Sequence, residues 1–241
     1  MYRLFTTVLL AVSSVSAITL SSGCQSALTG VATNQEANAC LSVSSLLTTV
    51  FQTNASIVPP IDNWLKQLCS SAPCSNATLS AVVTNITNGC SAELSTANST
   101  GTSASMLTPL VEQYYSTARK IVCLTDSGTN CITQTLNNIQ SILGTLSIDN
   151  IGGVVMQALG TTTLPSNVTC TNCVKEAYNV LNQDFPSTGG LLTSQLNTEC
   201  GSGFTGVVQT AKTTGDNNSA KAMTLSAVLG SVVFALMAFL A

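Results

Sequence analysis

The chain has 241 residues and little charge: seven Lys and Arg, ten Asp and Glu, and no His. Without His, Ser-His and Cys-His catalysis and most catalytic metal sites are excluded. The slightly acidic balance, with no basic patch, argues against nucleic acid or an anionic membrane surface as a partner. We therefore predict a non-enzymatic protein with no catalytic, cofactor-binding or metal-binding residues.

The first residues have the form of a secretory signal peptide. One positive charge at Arg3 precedes the apolar run Leu4–Val12, and the segment closes with Val15-Ser16-Ala17. These small residues predict cleavage of residues 1–17 and a mature chain that begins at Ile18. An apolar core of roughly ten residues is too short to span a bilayer comfortably, which argues against an N-terminal membrane helix.

The other end resembles a signal for attachment of a glycosylphosphatidylinositol (GPI) lipid. Small polar residues over 215–220 precede an almost wholly apolar run, Ala222–Ala241, which would be about 30 Å long as a helix. No Lys or Arg follows that run, as it would in a type I membrane protein. We predict attachment at Asn218, with Asn217 as the alternative site, and removal of the propeptide 219–241. A retained tail anchor is the competing interpretation.

Ten cysteines lie between the two ends. In a secreted chain, an even number predicts a disulfide framework, here of up to five bridges. Zinc is the alternative, suggested by Cys170-Thr171-Asn172-Cys173, but zinc sites of this kind prefer reducing compartments and this chain has no His. The predicted disulfide residues are Cys24, Cys40, Cys69, Cys74, Cys90, Cys123, Cys131, Cys170, Cys173 and Cys200.

Six N-x-S/T sequons make N-glycosylation feasible after entry into the secretory pathway. The predicted acceptors are Asn54, Asn76, Asn85, Asn98 and Asn167. The sixth sequon, at Asn217, lies so close to the predicted lipid anchor that we do not expect its use.

Apolar residues recur at three- and four-residue steps, and no segment shows sustained two-residue alternation. We predict an all-α protein of short amphipathic helices stapled by disulfides. Thr108 as N-cap and Pro109 at N1 predict a helix start, and Gly152-Gly153 and Gly189-Gly190 predict turns. The predicted apolar faces lie within 43–50, 79–86, 107–121, 132–146 and 174–185.

The order of the cysteines predicts two similar helical modules. In each set of five, an early pair precedes a helix, a close pair opens another, and one cysteine ends the unit; chance similarity is the alternative. The modules are residues 18–90 and 106–200, joined by a Ser/Thr-rich linker over 91–105 and followed by a stalk over 201–218. Each set contains five cysteines, which is an odd number, so at least one bridge joins the two sets if all ten cysteines pair.

The acidic and aromatic residues have structural interpretations. Trp64 lies at helical spacing with Leu65 and Leu68, so we expect a core side chain, with sugar stacking by Trp64 or Tyr114-Tyr115 as the alternative. Glycosidases hold two carboxylates across a cleft, and no spacing here indicates such a pair. The acidic residues considered are Asp62, Glu112, Asp126, Asp149, Glu176, Asp184 and Glu199.

The chain resembles a family of fungal secreted, GPI-anchored proteins with a cysteine-rich domain of unknown function. The likeness covers almost the whole mature chain and rests on IVPPIDNWLKQLCSSAPCSNATLS, VEQYYSTARKIVCL, CITQTLNNIQSILGTLS and TCTNCVKEAYNVL. It implies a location at the outer face of the plasma membrane or in the cell wall. The family brings no catalytic residues that could be carried over.

A looser likeness is to elicitins, small helical proteins with six cysteines that bind sterols. Cys69, Cys74 and Cys90 match their spacing, whereas the spacings from Cys24 to Cys40 and from Cys90 to Cys123 depart from it. The resemblance implies the bridges Cys24–Cys90, Cys40–Cys74 and Cys69–Cys123. Saposins also begin helices with a CxxC, but their later cysteine pattern is missing.

Two functions remain consistent with the sequence. The first is a GPI-anchored cell-surface or cell-wall glycoprotein of structural or interaction type, with cell-wall glycans as possible partners. The second is an extracellular sterol- or lipid-binding module. The two differ in whether the apolar residues fill their own core or enclose a void of roughly 300 Å³ or more.

Overall fold

The computed structural model describes residues 21–46, 55–96, 103–150 and 165–206. The predicted signal peptide, the predicted GPI signal (with Asn217 and Asn218) and the 207–218 part of the stalk lie outside these ranges. So do the sequons at Asn54 and Asn98, Gly152-Gly153 and the 47–50 part of the first apolar face. Most of the described residues are helical and five disulfides join the helices, which confirms the all-α prediction.

Ten α-helices, one 3₁₀-helix and one short hairpin make up the described elements. A 3₁₀-helix, Val43–Leu46, follows α2, and the antiparallel strands β1 (Thr125–Asp126) and β2 (Thr129–Asn130) join α6 to α7. The helices are α1 (Ser22–Thr33), α2 (Gln35–Leu41), α3 (Val58–Ser70), α4 (Asn76–Gly89), α5 (Ser91–Thr96), α6 (Ala104–Val122), α7 (Cys131–Leu143), α8 (Ser166–Thr169), α9 (Asn172–Asp184) and α10 (Pro186–Cys200).

Polar side chains set the starts of half of these helices. The side chains of Ser21, Asn34, Ser75, Asn130 and Thr171 each accept a hydrogen bond from a backbone N–H in the first turn that follows. Those N–H groups have no partner within the helix, so each cap satisfies a donor that would otherwise be left open.

Some of the buried apolar residues form three small clusters. The first joins α1, α2 and the 3₁₀-helix (Val31, Ala32, Ala37 and Val43), the second joins α3 to the segment after α7 (Ile57, Ile61, Leu65 and Leu146), and the third contains Leu124, Cys131 and Cys173. The third cluster is built partly from a disulfide. The covalent bonds therefore contribute to the core as well as to the chain connectivity.

Helix α6 lies between the two halves of the chain. It packs against α4 on one side and against α9 on another, and the Cys69–Cys123 disulfide ties its C-terminal end to α3. This disulfide joins the two sets of five cysteines, as their odd number requires. Helix α5 lies within the predicted linker, and the division into two modules stays a prediction.

Glycines allow α1 and α4 to approach closely beside the Cys24–Cys90 disulfide. A Cβ atom on Gly89 would lie 2.3 Å from the Cβ of Ala27, and one on Gly23 would lie 2.9 Å from the carbonyl oxygen of Gly89. Both distances are too short for a side chain, so the packing of α1 on α4 depends on Gly at these positions.

The predicted start of α6 at Thr108 and Pro109 is wrong. The helix begins at Ala104, with Ser103 as its N-cap residue, and Pro109 lies inside it. Proline is tolerated in the first turn because its missing N–H has no helical partner there, and it is costly further in. Here the helix includes a further turn before Pro109.

The predicted turn at Gly189-Gly190 is also wrong, because both residues lie within α10. Gly189 is buried, and a Cβ there would lie 2.3 Å from the Oδ1 atom of Asn182 in α9. A glycine is therefore needed for close helix packing and not for a turn.

Two of the predicted apolar faces differ in detail from the packed surfaces. Leu110 and Leu143 are exposed, at 38% and 45%. Leu146 is fully buried, but it follows the end of α7 at Leu143 and reaches the second cluster from a non-helical segment. Its backbone carbonyl accepts the N–H of Ile57 at 2.9 Å. Among the described helices, none has the length and apolar character needed to cross a membrane.

Candidate functional site

Each of the ten predicted cysteines is bonded, and none is free. The pairs are Cys24–Cys90, Cys40–Cys74, Cys69–Cys123, Cys131–Cys173 and Cys170–Cys200. The first three are the bridges that the likeness to elicitins implies, so those pairings are confirmed. Because Cys170 and Cys173 have different partners, their CxxC motif holds neither a dithiol pair nor thiolate ligands for zinc.

The most connected polar group in the described residues surrounds Arg119 of α6. Its guanidinium donates to the carbonyl oxygens of Leu68, at 2.7 Å, and of Ser71, both at the C-terminal end of α3. It also donates to the carbonyl oxygen of Cys40, at 3.5 Å, at the end of α2. Carbonyls at helix C-termini lack helical partners and carry partial negative charge, which a cation stabilises.

A second side chain of α6, one turn before Arg119, completes this arrangement. The backbone N–H of Cys74 donates to the hydroxyl oxygen of Tyr115 at 2.9 Å. Arg119 and Tyr115 therefore fix both ends of the short loop between Cys69 and Cys74. We call these two side chains and the backbone groups they bind the Arg119 hub.

Trp64 fixes the same end of α2 from another direction. Its indole N–H donates to the carbonyl oxygen of Leu41 at 2.8 Å, and its ring is partly buried against the second apolar cluster. Trp64 therefore packs against the core but is itself only partly buried. Of the two tyrosine candidates, Tyr114 packs on Phe185 with ring centroids 4.6 Å apart, and Tyr115 belongs to the Arg119 hub.

The two close cysteines beside the hub have different partners. Cys69, in the last turn of α3, bonds to Cys123 at the end of α6, whereas Cys74 bonds to Cys40 at the end of α2. A Cys69–Cys74 bond would leave α2 and α6 unattached here. The chemistry of the hub is thus positioning: it holds the ends of three helices together.

The neighbouring residue, Lys120, ties α6 to the corner between α9 and α10. Its ammonium lies 2.9 Å from Oδ2 of Asp184, and the side chains are only 16% and 12% exposed. The hydroxyl of Thr117 donates to the same carboxylate oxygen at 2.6 Å. Removing one member of such a partly buried pair leaves the other charge uncompensated, which is strongly destabilising.

A third charged group joins α3 to α7. Lys66 lies 2.6 Å from one carboxylate oxygen of Asp62, and the buried hydroxyl of Thr133 donates to the other oxygen at 2.8 Å. The hydrogen bond from Lys66, and then that from Thr133, hold the pKa of Asp62 below its ordinary value. This contribution to stability is present above the ordinary pKa of a carboxyl group and is lost in acid.

A fourth group lies beside the Cys24–Cys90 disulfide, where the Glu93 carboxylate and the two sulfurs are within 4.8 Å of one another. The sulfurs are bonded to each other, so they are not thiolate ligands for a metal. The carboxylate accepts the backbone N–H of Ser21 at 2.6 Å, and this bond lowers the pKa of Glu93.

The acidic residues thus serve several structural contacts. Asp62, Asp184 and Glu93 receive hydrogen bonds from distant elements, and Asp126 and Glu199 receive them from nearby side chains. From the sequence, Asp62 and Asp184 were considered only for a carboxylate pair and Tyr115 only for sugar stacking, and Arg119 was missed. One sequence signal could have indicated Arg119: it is a cation in the last turn of an amphipathic helix, four residues before a cysteine.

Three of the predicted glycosylation acceptors lie in the described residues. Asn76, at the start of α4, and Asn167, in α8, are exposed. Asn85 is also exposed, but its amide nitrogen lies 3.1 Å from where a Cβ on Gly30 would be. The acceptor atom of Asn85 therefore faces the backbone of α1.

Compared with protein-family models, curated proteins and solved structures, the chain has no match in any of the three.

We expect Arg119→Gln to lower the free energy of unfolding by about 2–3 kcal/mol, because three helix-end carbonyls lose a charged donor. Arg119→Lys should recover only part of this loss, since an ammonium lacks the planar fork that reaches several carbonyls. Chemical denaturation followed by circular dichroism measures both. Lys66→Gln is the matched control: Lys66 is 70% exposed, and an exposed pair is worth about 0–1 kcal/mol. Equal losses for Arg119→Gln and Lys66→Gln would contradict the role of the hub.

We expect glycans on Asn76 and Asn167 but not on Asn85, because a glycan on Asn85 would have to displace the contact with α1. Glycopeptide mass spectrometry of the secreted protein measures occupancy at each position. Asn76→Gln and Asn167→Gln should each increase gel mobility by one glycan, and Asn85→Gln should leave it unchanged. Full occupancy at Asn85 would show that the packing of α1 on α4 differs from that described.

Proposed function

We propose that the protein is a non-enzymatic, GPI-anchored glycoprotein of the cell surface or cell wall, with a structural or interaction role. The observation that carries this proposal is the complete pairing of ten cysteines in five disulfides. Disulfides form and persist in oxidising environments, so the described fold belongs to an oxidising, extracellular or secretory compartment.

The predicted signals at the two ends of the sequence support the same route. A signal peptide over 1–17 would bring the chain into that compartment, and the tail over 219–241 would be exchanged for a lipid at Asn218. Residues 207–218 would then link the last described residues to the membrane. At most about 3.6 Å per residue, this segment extends roughly 40 Å, so the folded part would stand close to the cell surface.

The use of polar groups supports a structural role over an enzymatic one. The Arg119 hub, the Lys120–Asp184 pair and the Asp62–Lys66 pair all bind other parts of the same chain. Catalytic groups, in contrast, are typically poised in a cleft with perturbed pKa values that suit proton transfer near neutral pH. The carboxylates with shifted pKa values here, Asp62 and Glu93, are shifted downwards and are held by hydrogen bonds.

A sterol- or lipid-binding module is the second candidate. Two observations favour it: the three disulfides that match the elicitin pairing, and the division of the apolar residues into three small clusters. Many large apolar side chains around these clusters are only partly buried, as the lining of a lipid site would be. Met106 and Leu191 are exposed at 63% and 65%.

We expect phosphatidylinositol-specific phospholipase C to release the protein from the surface of cells that express the full sequence. The tail 219–241 is removed when the lipid is attached, and the enzyme then cuts the lipid from its glycan. The released protein should therefore lack the peptide 219–241 and retain an inositol-containing glycan at its new C-terminus. A matched control replaces residues 219–241 by a conventional membrane-spanning helix with basic residues after it. Release of neither protein, with the tail peptide still detected, would overturn the GPI proposal and favour a retained anchor.

Native mass spectrometry of the released glycoprotein separates the two candidate functions. A structural protein should show the mass of the polypeptide with its glycans alone, whereas a lipid-binding module should carry a sterol or a fatty acid through purification. Reduced and alkylated protein is the control, because unfolding should remove a bound lipid. One sterol bound per chain would favour the second candidate, the lipid-binding module, over the first.

A further inference from the structure

The Cys170–Cys200 disulfide differs from the other four in its exposure. Both of its cysteines are partly exposed, whereas each of the other disulfides contains at least one buried cysteine. It also closes the shortest stretch of chain, with a sequence separation of 30 residues. A thiolate must reach a disulfide sulfur to attack it, and exposed disulfides are the more readily reduced ones. An external thiol therefore reaches this bond before the others.

The helix that this bond holds, α10, is weakly packed. Of its 15 residues, Thr188 and Gly189 are the buried ones, and neither carries a large apolar side chain. Helix α3, with 13 residues, buries four aliphatic side chains. The adjacent Gly189 and Gly190 disfavour a helix further, and a helix of this length is marginal alone. The position of α10 therefore depends strongly on its disulfide.

The start of α10 is held independently of that bond. Phe185, the residue before the helix, is 1% exposed and packs on Tyr114 of α6. Asp184, one residue earlier, pairs with Lys120 of the same helix. These contacts lie at the end of α10 that is opposite to Cys200. Breaking the disulfide would leave the start of α10 in place and free its C-terminal end.

Between its two ends, α10 covers one side of α9. It packs against α9 and α8, and the hydroxyl groups of Tyr178 in α9 and Thr193 in α10 are hydrogen-bonded at 2.6 Å. Tyr178 is only 8% exposed. Helix α9 has its own attachment, because Cys173 in its first turn is bonded to Cys131 of α7. Movement of α10 would thus expose Tyr178 without releasing α9.

We propose that the Cys170–Cys200 disulfide is a reversible tether, which an extracellular thiol opens to release the C-terminal end of α10 and expose the side of α9 around Tyr178. The other four disulfides keep the rest of the fold in place. The inference goes beyond the proposed function, since it needs an external thiol and no lipid anchor. Oxidising conditions outside the cell would restore the bond.

The chemistry is a thiol–disulfide exchange in two steps. A thiolate of the reductant attacks the Sγ atom of Cys200, and the electron pair of the broken S–S bond leaves on the Sγ atom of Cys170. A second thiolate then attacks the reductant's sulfur in the mixed disulfide and displaces Cys200 as a thiolate. Two reductant thiols are thereby oxidised to one disulfide, and their two protons pass to Cys170 and Cys200.

The first experiment treats the secreted, folded glycoprotein with limiting dithiothreitol and blocks each new thiol with iodoacetamide. Peptide mass spectrometry over time identifies the alkylated cysteines. We expect Cys170 and Cys200 to be alkylated about tenfold faster than the other cysteines, because their bond is the one that is exposed at both sulfurs. Simultaneous alkylation of all the cysteines, or earlier reduction of another bridge, would overturn the inference.

The second measurement follows the opening of α10 in the selectively alkylated protein. Amide hydrogen exchange in α10 should become about tenfold faster, whereas α3 should keep its protection. Hydroxyl-radical oxidation of Tyr178, read by mass spectrometry, should increase severalfold. Tyr114 is the matched control, because it is similarly buried, at 9% exposed, but lies at the end of α10 that stays attached. Unchanged exchange in α10, or equal gains in the oxidation of both tyrosines, would contradict the opening.

A double variant removes the bond without a reductant. Cys170→Ser with Cys200→Ser should reproduce the fast exchange of α10 and leave α3 protected. Cys131→Ser with Cys173→Ser is the matched control: these buried cysteines belong to the third apolar cluster, so their loss should weaken protection beyond α10. If the first variant does not accumulate, selective reduction of the natural protein decides. Loss of protection throughout the fold in that reduced protein would show that α10 is not a separable unit.

Discussion

Disulfides between helix ends supply the cohesion that the small apolar clusters cannot. The bonds close sequence separations of 30 to 66 residues, and in the chain-entropy model each contributes about 4 kcal/mol. One such bond is comparable with a large part of the stability of a typical domain, roughly 5–15 kcal/mol. Because Cys131 and Cys173 also belong to the third apolar cluster, sulfur replaces aliphatic side chains in the core itself.

The few charged side chains of the chain also hold helices together. Arg119 and Lys120 are adjacent in α6, yet one binds the ends of α2 and α3 and the other binds Asp184 between α9 and α10. The two cations therefore join α6 to both sets of cysteines. Charged side chains that bind other parts of the fold contribute little to the hydration of its surface. Hydroxyl groups, and the glycans that we propose at exposed sequons, would then keep the surface hydrated.

The helices were predictable from the sequence, because α4 and α9 pack with the apolar faces that their periodicity indicates, although the face of α7 is only partly buried. The errors have tertiary causes. Gly189 serves the close approach of Asn182 within a helix and not a turn, and Leu146 is buried against α3 after its own helix has ended. Arg119 was not predictable as a hub, since its acceptors are backbone carbonyls that many residues of sequence separate from it. A sequence pattern shows which residues are apolar, but it does not show which carbonyls converge.

One pairing is equivalent in the two sets of cysteines, and another pairing differs between them. In the alignment that predicts two modules, Cys131–Cys173 corresponds to Cys40–Cys74, so the second and fourth cysteines pair in both sets. The first set also pairs its first and fifth cysteines, Cys24–Cys90, whereas the second set bonds its fifth cysteine to its third, as Cys170–Cys200. Its first cysteine, Cys123, is thereby available for Cys69. If the halves arose from one unit, this single exchange of partners converted two separate frameworks into one, with α6 held between them.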